Sequence, residues 1–275
     1  MTCPVCTAKL RPYLIGATPM FACDTCTVIV RDPSLAPTSG DAYYEDEYSL
    51  THTVRASTEM HRYFRYPEYQ SLIATVLRHQ PDATSWLDVG CDHGFFLDDV
   101  RRYIPRVAGI ELSARARAYA QRIGLDVVRD MSQLSGTFDV VSMWHVLEHI
   151  ETPNVLLEEL RRVMSPNAVL TLRVPDIAST FARLLGSRWI WFQPQNHAVH
   201  YTQRALHTLL ERSGFSVLHS ARQRPNTSLT RASYTLARRV MRHAHGTTTS
   251  LRDRLARTYQ DITGQELFVI ARSRG

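Results

Sequence analysis

The sequence predicts an α/β fold, a doubly wound and mainly parallel sheet with a small cysteine-rich module ahead of it. Three observations carry that reading. Apolar strand-like runs alternate with amphipathic helix-like runs between residues 85 and 174, the pattern of a sheet covered on both faces. The run Trp86-Leu87-Asp88-Val89-Gly90-Cys91-Asp92-His93-Gly94, followed by Val107-Ala108-Gly109-Ile110-Glu111, reads as strand, glycine turn, helix and a second strand ending in a carboxylate. Cys3-Pro4-Val5-Cys6 and Cys23-Asp24-Thr25-Cys26 form two C-x-x-C pairs separated by sixteen residues.

The length of 275 residues suits one main domain and an appendage, and the 44% hydrophobic and 21% charged composition is that of a globular protein. With no long apolar run and no signal-like start, the expectation is a soluble, cytoplasmic chain without membrane insertion. The net charge of +6 is uneven. Nine arginines lie between Ala221 and Gln260 against one acid, Asp253, so this segment alone carries the basic excess. It is either a solvated helical face or the recognition surface for an anionic partner.

Residues 1–31 are expected to form a zinc ribbon. Four thiolates at this spacing make a closed tetrahedral site, structural and not catalytic. A redox pair would need a thioredoxin-like unit around it, and two disulfides would conflict with a reducing compartment. Leu10, Tyr13, Leu14, Ile15, Met20 and Phe21 are too few for a core, so metal binding should supply much of the folding energy. Residues 32–60 read as a Pro/Ser/Thr linker and an acidic, aromatic segment, Tyr43-Tyr44-Glu45-Asp46-Glu47-Tyr48. That segment is either a lid with Tyr43 turned toward a ligand or a surface turn.

The main domain is assigned to residues 61–275, with 221–263 as a basic helical insert. A helix over 61–80 precedes strand 85–90, helix 95–103, strand 107–111, helix 113–123, strands 126–129 and 138–143, helix 153–163, strand 168–174, helix 202–213, strand 215–220 and strand 266–272. Ligands of such sheets bind beyond the carboxyl ends of the strands, so those ends hold the candidate residues. Gly90 and Gly94 shape the first turn. Asp92 stands where a dinucleotide loop has its second glycine and would repel a pyrophosphate. Asp88 and Asp92 together suit a cationic ligand without phosphate, which points to S-adenosylmethionine, with Glu111 accepting hydrogen bonds from its ribose hydroxyls. Asp130 and Met131 fall where an adenine amino group and ring face would be met, and Trp144, His145, Glu148 and His149 fall at the pocket mouth. Cys91 reads as a small filler.

These residues resemble class I S-adenosylmethionine-dependent methyltransferases, in particular the bacterial type 11/12/23 group preceded by a zinc ribbon. The resemblance spans the chain: Cys26 to Pro33 with Tyr43 and Tyr44; Asp88, Gly90 and Gly94; Val146-Leu147-Glu148-His149 with Pro153; Leu160, Arg161, Val163 and Pro166; and His197, His200, Tyr201 and Thr202 followed by Leu209, Leu210, Gly214 and Phe215. It implies a Rossmann-like sheet of seven strands with the last antiparallel. Asp92 in place of a glycine, Asn167 at a glycine turn and the insert 221–263 depart from the family pattern.

The expected reaction is methyl transfer to a small-molecule acceptor, a sugar, glycolipid or secondary metabolite, at oxygen. The candidate bases are His149 and His197 first, then His145 and His200, because imidazole titrates near neutrality. Each of the four can instead be a loop-ordering or wall residue. The arginine-rich insert suits an anionic group on the acceptor. An RNA methyltransferase is the second reading, less favoured because no base-stacking motif accompanies the basic segment. A non-catalytic binding protein is the third, favoured only by Asp92. Oligomeric state is left open.

Overall fold

The computed structural model describes residues 1–36, 58–223 and 264–274, with the side chains of 58–67 left aside. Tyr43 and the lid segment, and the basic insert from 224 to 263, lie outside the described residues; residues 221–223 are not insert but the end of a strand.

The N-terminal module is a hairpin of β1 (Arg11–Ile15) and β2 (Thr18–Ala22), followed by β3 (Ile29–Arg31). Helix α1 (Thr58–His79) begins three residues ahead of its expected start. The alternating units follow: β4 (Ser85–Val89), α2 (Phe95–Val100), β5 (Arg106–Ile110), α3 (Ala114–Arg122), β6 (Asp126–Val128), β7 (Phe138–Trp144), α4 (Pro153–Arg162) and β8 (Met164–Pro175). Then come α5 (Thr180–Leu185), β9 (Val199–His200), α6 (Gln203–Arg212), β10 (Phe215–Gln223) and β11 (Glu266–Ser273).

The main sheet has the order β10-β11-β8-β7-β4-β5-β6. β6, β5, β4, β7 and β8 pair in parallel, and β11 runs antiparallel to both β8 and β10. All five residues of β4 are buried, as expected of a central strand covered twice. Side-chain alternation divides the core: Trp86, Val140 and Val169 face the layer with Ile73 and Phe96, while Leu87, Val141 and Leu170 face the layer with Leu157, Leu206 and Leu209. β8 is longer than expected because the Ser165-Pro166-Asn167 turn is absorbed as an irregularity. Asn167 adopts φ 62°, and the pairing with β7 shifts between Phe138 and Val140. Asparagine tolerates that left-handed conformation, which is why glycine is dispensable here.

The cysteine module is not a free appendage. β3 pairs antiparallel with β9, placing Ile29 opposite His200 and Val30 opposite Val199, so the two sheets meet at one strand of the main domain. Val5, Leu10 and Val28 share one continuous core with Leu147, Tyr201, Leu206 and Leu209. Of the apolar side chains too few for a core of their own, Leu10 and Phe21 thus join a larger one, Met20 and Ile15 pack with Trp189 and Phe192, and Tyr13 and Leu14 stay exposed. Neither β9 nor α5 is visible in the sequence pattern, since two residues cannot show alternation and six cannot show a helical repeat.

Arg31 secures this junction. Its side chain is 7% exposed, donates from Nη1 to the Gln195 carbonyl at 3.1 Å and forms an ion pair with Glu151. It therefore ties the segment before His197 to the loop after His149. Arg31→Ala should lower stability by about 1–2 kcal/mol, because a buried carbonyl partner is lost while the Glu151 end is already in water. A urea titration with a lower midpoint and unchanged slope would bear this out; an unchanged midpoint would count against it.

Candidate active site

The glycine turn at the carboxyl end of β4 is held by main-chain bonds from Gly90 and Cys91 to the Ile110 carbonyl, at 2.8 and 3.1 Å. Gly90 has φ +73°, and a Cβ there would lie 2.5 Å from Val146 Cγ2. This close approach puts the loop after β7, which carries Glu148 and His149, directly against the turn. Asp92 also adopts a left-handed conformation, φ 49°, which aspartate tolerates better than most residues. Its carboxylate pairs with His93 Nδ1 at 2.7 Å. The buried Cys91 thiol fills the space beside Gly109, whose absent Cβ would lie 2.5 Å from it.

Glu111, just past β5, accepts from the main-chain N–H groups of Asp92 and Ser113, each at 2.8 Å. Burial raises its pKa, and those two hydrogen bonds work against the rise. The carboxylate is thereby fixed at the rim of the turn with lone pairs to spare. Asp88 lies deeper, 1% exposed, and accepts from Ser142 Oγ at 2.6 Å; Ser142 in turn accepts from Trp86 Nε1 at 2.8 Å. Burial pushes Asp88 up to about 8 despite the Ser142 bond. It is therefore largely protonated at neutral pH, and Asp92 is the more exposed carboxylate of the pair. Asp130 is exposed and caps the short turn Met131–Gln133 through Ser132, and Met131 packs at the edge of the main core. Trp144 meets Phe96 edge-on at 5.1 Å and stacks on Phe268 at 6.2 Å.

The four candidate histidines converge around Glu148, which is 1% exposed. His145 donates from Nδ1 to Glu148 Oε1 at 3.2 Å, and its Nε2 lies 3.5 Å from Glu266 Oε1. Its ring stacks on Trp191 with centroids 4.9 Å apart. The rings of His149 and His197 meet edge-on at 4.8 Å, and His197 is followed by His200 at 5.8 Å. Their titration divides them. Burial opposes protonation of His145, yet Glu266 and Glu148 outweigh it and raise its pKa. Burial drives His197 down to about 4 and His200 to about 3, so both are neutral in the folded chain. Burial alone would raise Glu148, but the His145 bond and the neighbouring histidines hold it at about 2.

Several site residues escape a reading of the sequence. Glu266 opens the antiparallel β11 and so reaches the same edge of the sheet as the carboxyl ends of the parallel strands. An acid at the start of an otherwise apolar terminal strand is the signal that marks it. Arg173 near the end of β8 pairs with Glu68, reaches Gln223 Oε1 at 2.6 Å and lies 3.7 Å from Glu266. Trp191 carries no sequence signal at all.

In the N-terminal module, Cys3 and Cys26 sulfurs are 3.6 Å apart and those of Cys6 and Cys23 are 3.4 Å apart; all four lie within 4.8 Å of one another. The knuckles are alike: Thr7 and Thr27 adopt φ 64° and 68°, and each donates its N–H back to the first cysteine's carbonyl, at 3.0 and 2.9 Å.

Comparison with known proteins places this geometry. The profile of the family described as Methyltransferase domain matches residues 60–220. The chain belongs to that family. Among curated relatives, a mitochondrial ubiquinone biosynthesis O-methyltransferase of Schizosaccharomyces pombe is 31% identical over 134 residues, covering 44% of this chain and 47% of the relative. One of Candida albicans is 35% identical over 95 residues, 29% of each chain. The matched region thus spans less than half the length of either relative. Among solved structures, magnesium protoporphyrin IX methyltransferase from Synechocystis PCC 6803 superposes with a TM-score of 0.54 at 14% identity, over 86% of this chain and 98% of that one. The plantazolicin methyltransferase BamL gives 0.53 at 16%, over 86% and 97%. At those identities the superpositions establish the fold, the Rossmann-like fold of class I S-adenosylmethionine-dependent methyltransferases. The same fold is carried by a [4+2]-cyclase, at a TM-score of 0.50, 20% identity and coverage of 74% and 80%. Fold alone therefore does not fix the chemistry.

The depressed values of His197 and His200 set an acid limit. Between pH 6.5 and about 4 the unfolded chain binds protons that these two rings refuse when folded, so stability falls as pH falls through that window. His200→Phe should flatten the loss, measured as denaturation midpoint against pH; an identical pH slope in the variant would contradict the assignment.

Proposed function

We propose that the protein transfers a methyl group from S-adenosylmethionine to a hydroxyl of a small-molecule acceptor, and that the acceptor lies against the Glu148–His149–His197 cluster. The observation that carries this reading is the contact of Val146 with the glycine turn, which sets a cofactor-type cradle and a histidine cluster side by side. The cradle fits its ligand: Glu111 is fixed at the rim for the ribose hydroxyls, and Gly90 and Gly94, both at positive φ, let the turn close against Val146 and against Leu125 and Ala120 where a Cβ would clash. The exposed carboxylate of Asp92 favours a cation and disfavours a pyrophosphate, whereas Asp88, buried and largely protonated, adds a hydrogen-bonding group rather than a second charge. Met131, Asp130 and Trp144 complete the proposed cofactor surroundings, with Tyr43 held in reserve for a lid. The ubiquinone biosynthesis O-methyltransferases among the relatives favour oxygen as the acceptor atom.

When bound, S-adenosylmethionine supplies a methyl group already activated on sulfur. What remains for the chain is to align the acceptor and to make its hydroxyl acidic. His145 has both ring nitrogens engaged, Nδ1 with Glu148 and Nε2 near Glu266, and so is the ring least suited to accept a proton, and His200 is packed behind His197 against the cysteine module. His149 and His197 are the groups that meet the acceptor. The half-buried indole of Trp191, stacked on His145, lies in the same segment and suits a cyclic or partly apolar acceptor such as a sugar or a secondary metabolite, while Trp189 and Phe192 are buried beneath it.

The reading is tested by incubating the full chain with methyl-labelled S-adenosylmethionine and an extract of its source organism, then fractionating the label. Label in small molecules or lipids is expected; label in RNA would overturn the acceptor class, and no label with no cofactor binding in calorimetry would overturn the activity. His149→Ala should lower turnover by about a hundredfold or more while S-adenosylhomocysteine still binds. Unchanged turnover would remove His149 from the site.

Zinc in the four-cysteine module belongs to the same proposal. A Zn–S distance of about 2.3 Å in a tetrahedron separates the sulfurs by about 3.8 Å, close to the 3.4 and 3.6 Å observed and far from a disulfide. Cys26→Ser should lose that zinc, read by elemental analysis, and melt at a lower temperature. Full zinc content in the variant would refute it.

A further inference from the structure

We propose that Glu148, His149 and His197 form a second metal site, separate from the four cysteines, that takes a divalent d-block cation of the zinc class. A carboxylate oxygen of Glu148 and one ring nitrogen from each histidine lie within 4.8 Å of one another. Binding is argued from these residues alone; the role given to the ion rests on the proposed methyl transfer.

The hydrogen bonds around the three side chains are those of ligands. His149 Nδ1 lies 3.1 Å from the Asn196 carbonyl, and His197 Nδ1 lies 3.0 Å from the Trp191 carbonyl. A carbonyl only accepts, so each Nδ1 carries the proton and each Nε2 carries the lone pair. A backbone carbonyl fixing the tautomer through the distal nitrogen is the usual support of a metal-bound imidazole. Glu148 has one oxygen on His145, while its buried Oε2 has no hydrogen-bond partner among the described residues. A buried carboxylate oxygen left without a partner is costly, and a cation would satisfy it. The main chain fixes both sides: His149 N–H bonds to the Val146 carbonyl at 3.0 Å and His197 N–H to the Gln193 carbonyl at 2.7 Å.

Two imidazoles and one carboxylate suit zinc, cobalt, iron or nickel, whereas magnesium and calcium prefer oxygen. Three protein ligands leave a position open for an acceptor oxygen. There the ion lowers the hydroxyl pKa. The proton passes to solvent, the oxygen lone pair forms the new O–CH3 bond, and the methyl–sulfur bond breaks with its electron pair going to sulfur. His149 and His197 then act by holding the ion rather than by taking the proton themselves.

Cobalt(II) titration of the full, chelator-stripped chain tests the site, because thiolate-to-cobalt charge transfer marks binding by cysteine and is missing from a histidine–carboxylate site. Wild type should bind two equivalents, one with the thiolate band and one without. Glu148→Gln and His197→Gln should keep the first and weaken the second by more than about a hundredfold, with circular dichroism and S-adenosylhomocysteine binding reporting the fold. Millimolar magnesium should not compete. The absence in wild type of any equivalent lacking the thiolate band overturns the proposal, as does a second equivalent undiminished in both variants. Cobalt bound at this site without methyl transfer to any acceptor would leave the metal site standing and sink the methyltransferase reading. Methyl transfer by a chain that binds no such ion would do the reverse.

Discussion

The arrangement beyond the carboxyl ends of the parallel strands depends on one buried charge, the carboxylate of Glu148. A carboxylate removed from water is tolerated only where its surroundings favour the ionised form. Here the hydrogen bond from His145, a ring whose protonated form the site favours, outweighs the burial and holds the group well below its ordinary value. The compensation extends outward. His145 is itself held by Glu266, and Glu266 by Arg173, which reaches Glu68 on α1 and Gln223 at the end of β10. The ends of four strands and one helix are thereby oriented by a single chain of charges.

The second constraint is steric. Gly90 has no side chain, and Val146 occupies the room a Cβ would take. Consequently the turn beyond β4 and the loop beyond β7 touch, as adjacent parallel strands allow when their connections leave the same edge. In the proposed reaction, the spacing of the strands, about 5 Å, would set the distance between a donor at the first loop and an acceptor at the second, in place of flexible side chains. That is the kind of positioning in-line transfer needs.

The cysteine module enters this scheme through β9. By pairing β3 with Val199–His200 and anchoring Arg31 on Gln195 and Glu151, it braces both segments that carry histidines. Its small core is shared with the sheet layer under Leu147 and Tyr201, so the module and the His149 loop are packed on common side chains.

The sequence by itself determined what is local or periodic. Strand and helix order from β4 to β11 apart from α5 and β9, the glycine turn, Glu111 at the tip of β5 and the pairing of the cysteine knuckles all follow from short-range pattern, because each is written in a few neighbouring residues. The four histidines were legible as candidates, since they lie at strand ends or in a recognisable segment, but not their division of labour. Only the tertiary structure decided that the carboxylates around His145 favour its protonated form, that His197 and His200 are neutral, and that Glu148 is the centre of the group. It also decided the partners Glu266, Arg173 and Arg31, and the seat of the cysteine module on β9. The physical reason is that a group's charge state depends on burial and on neighbours distant in sequence, which no local pattern encodes.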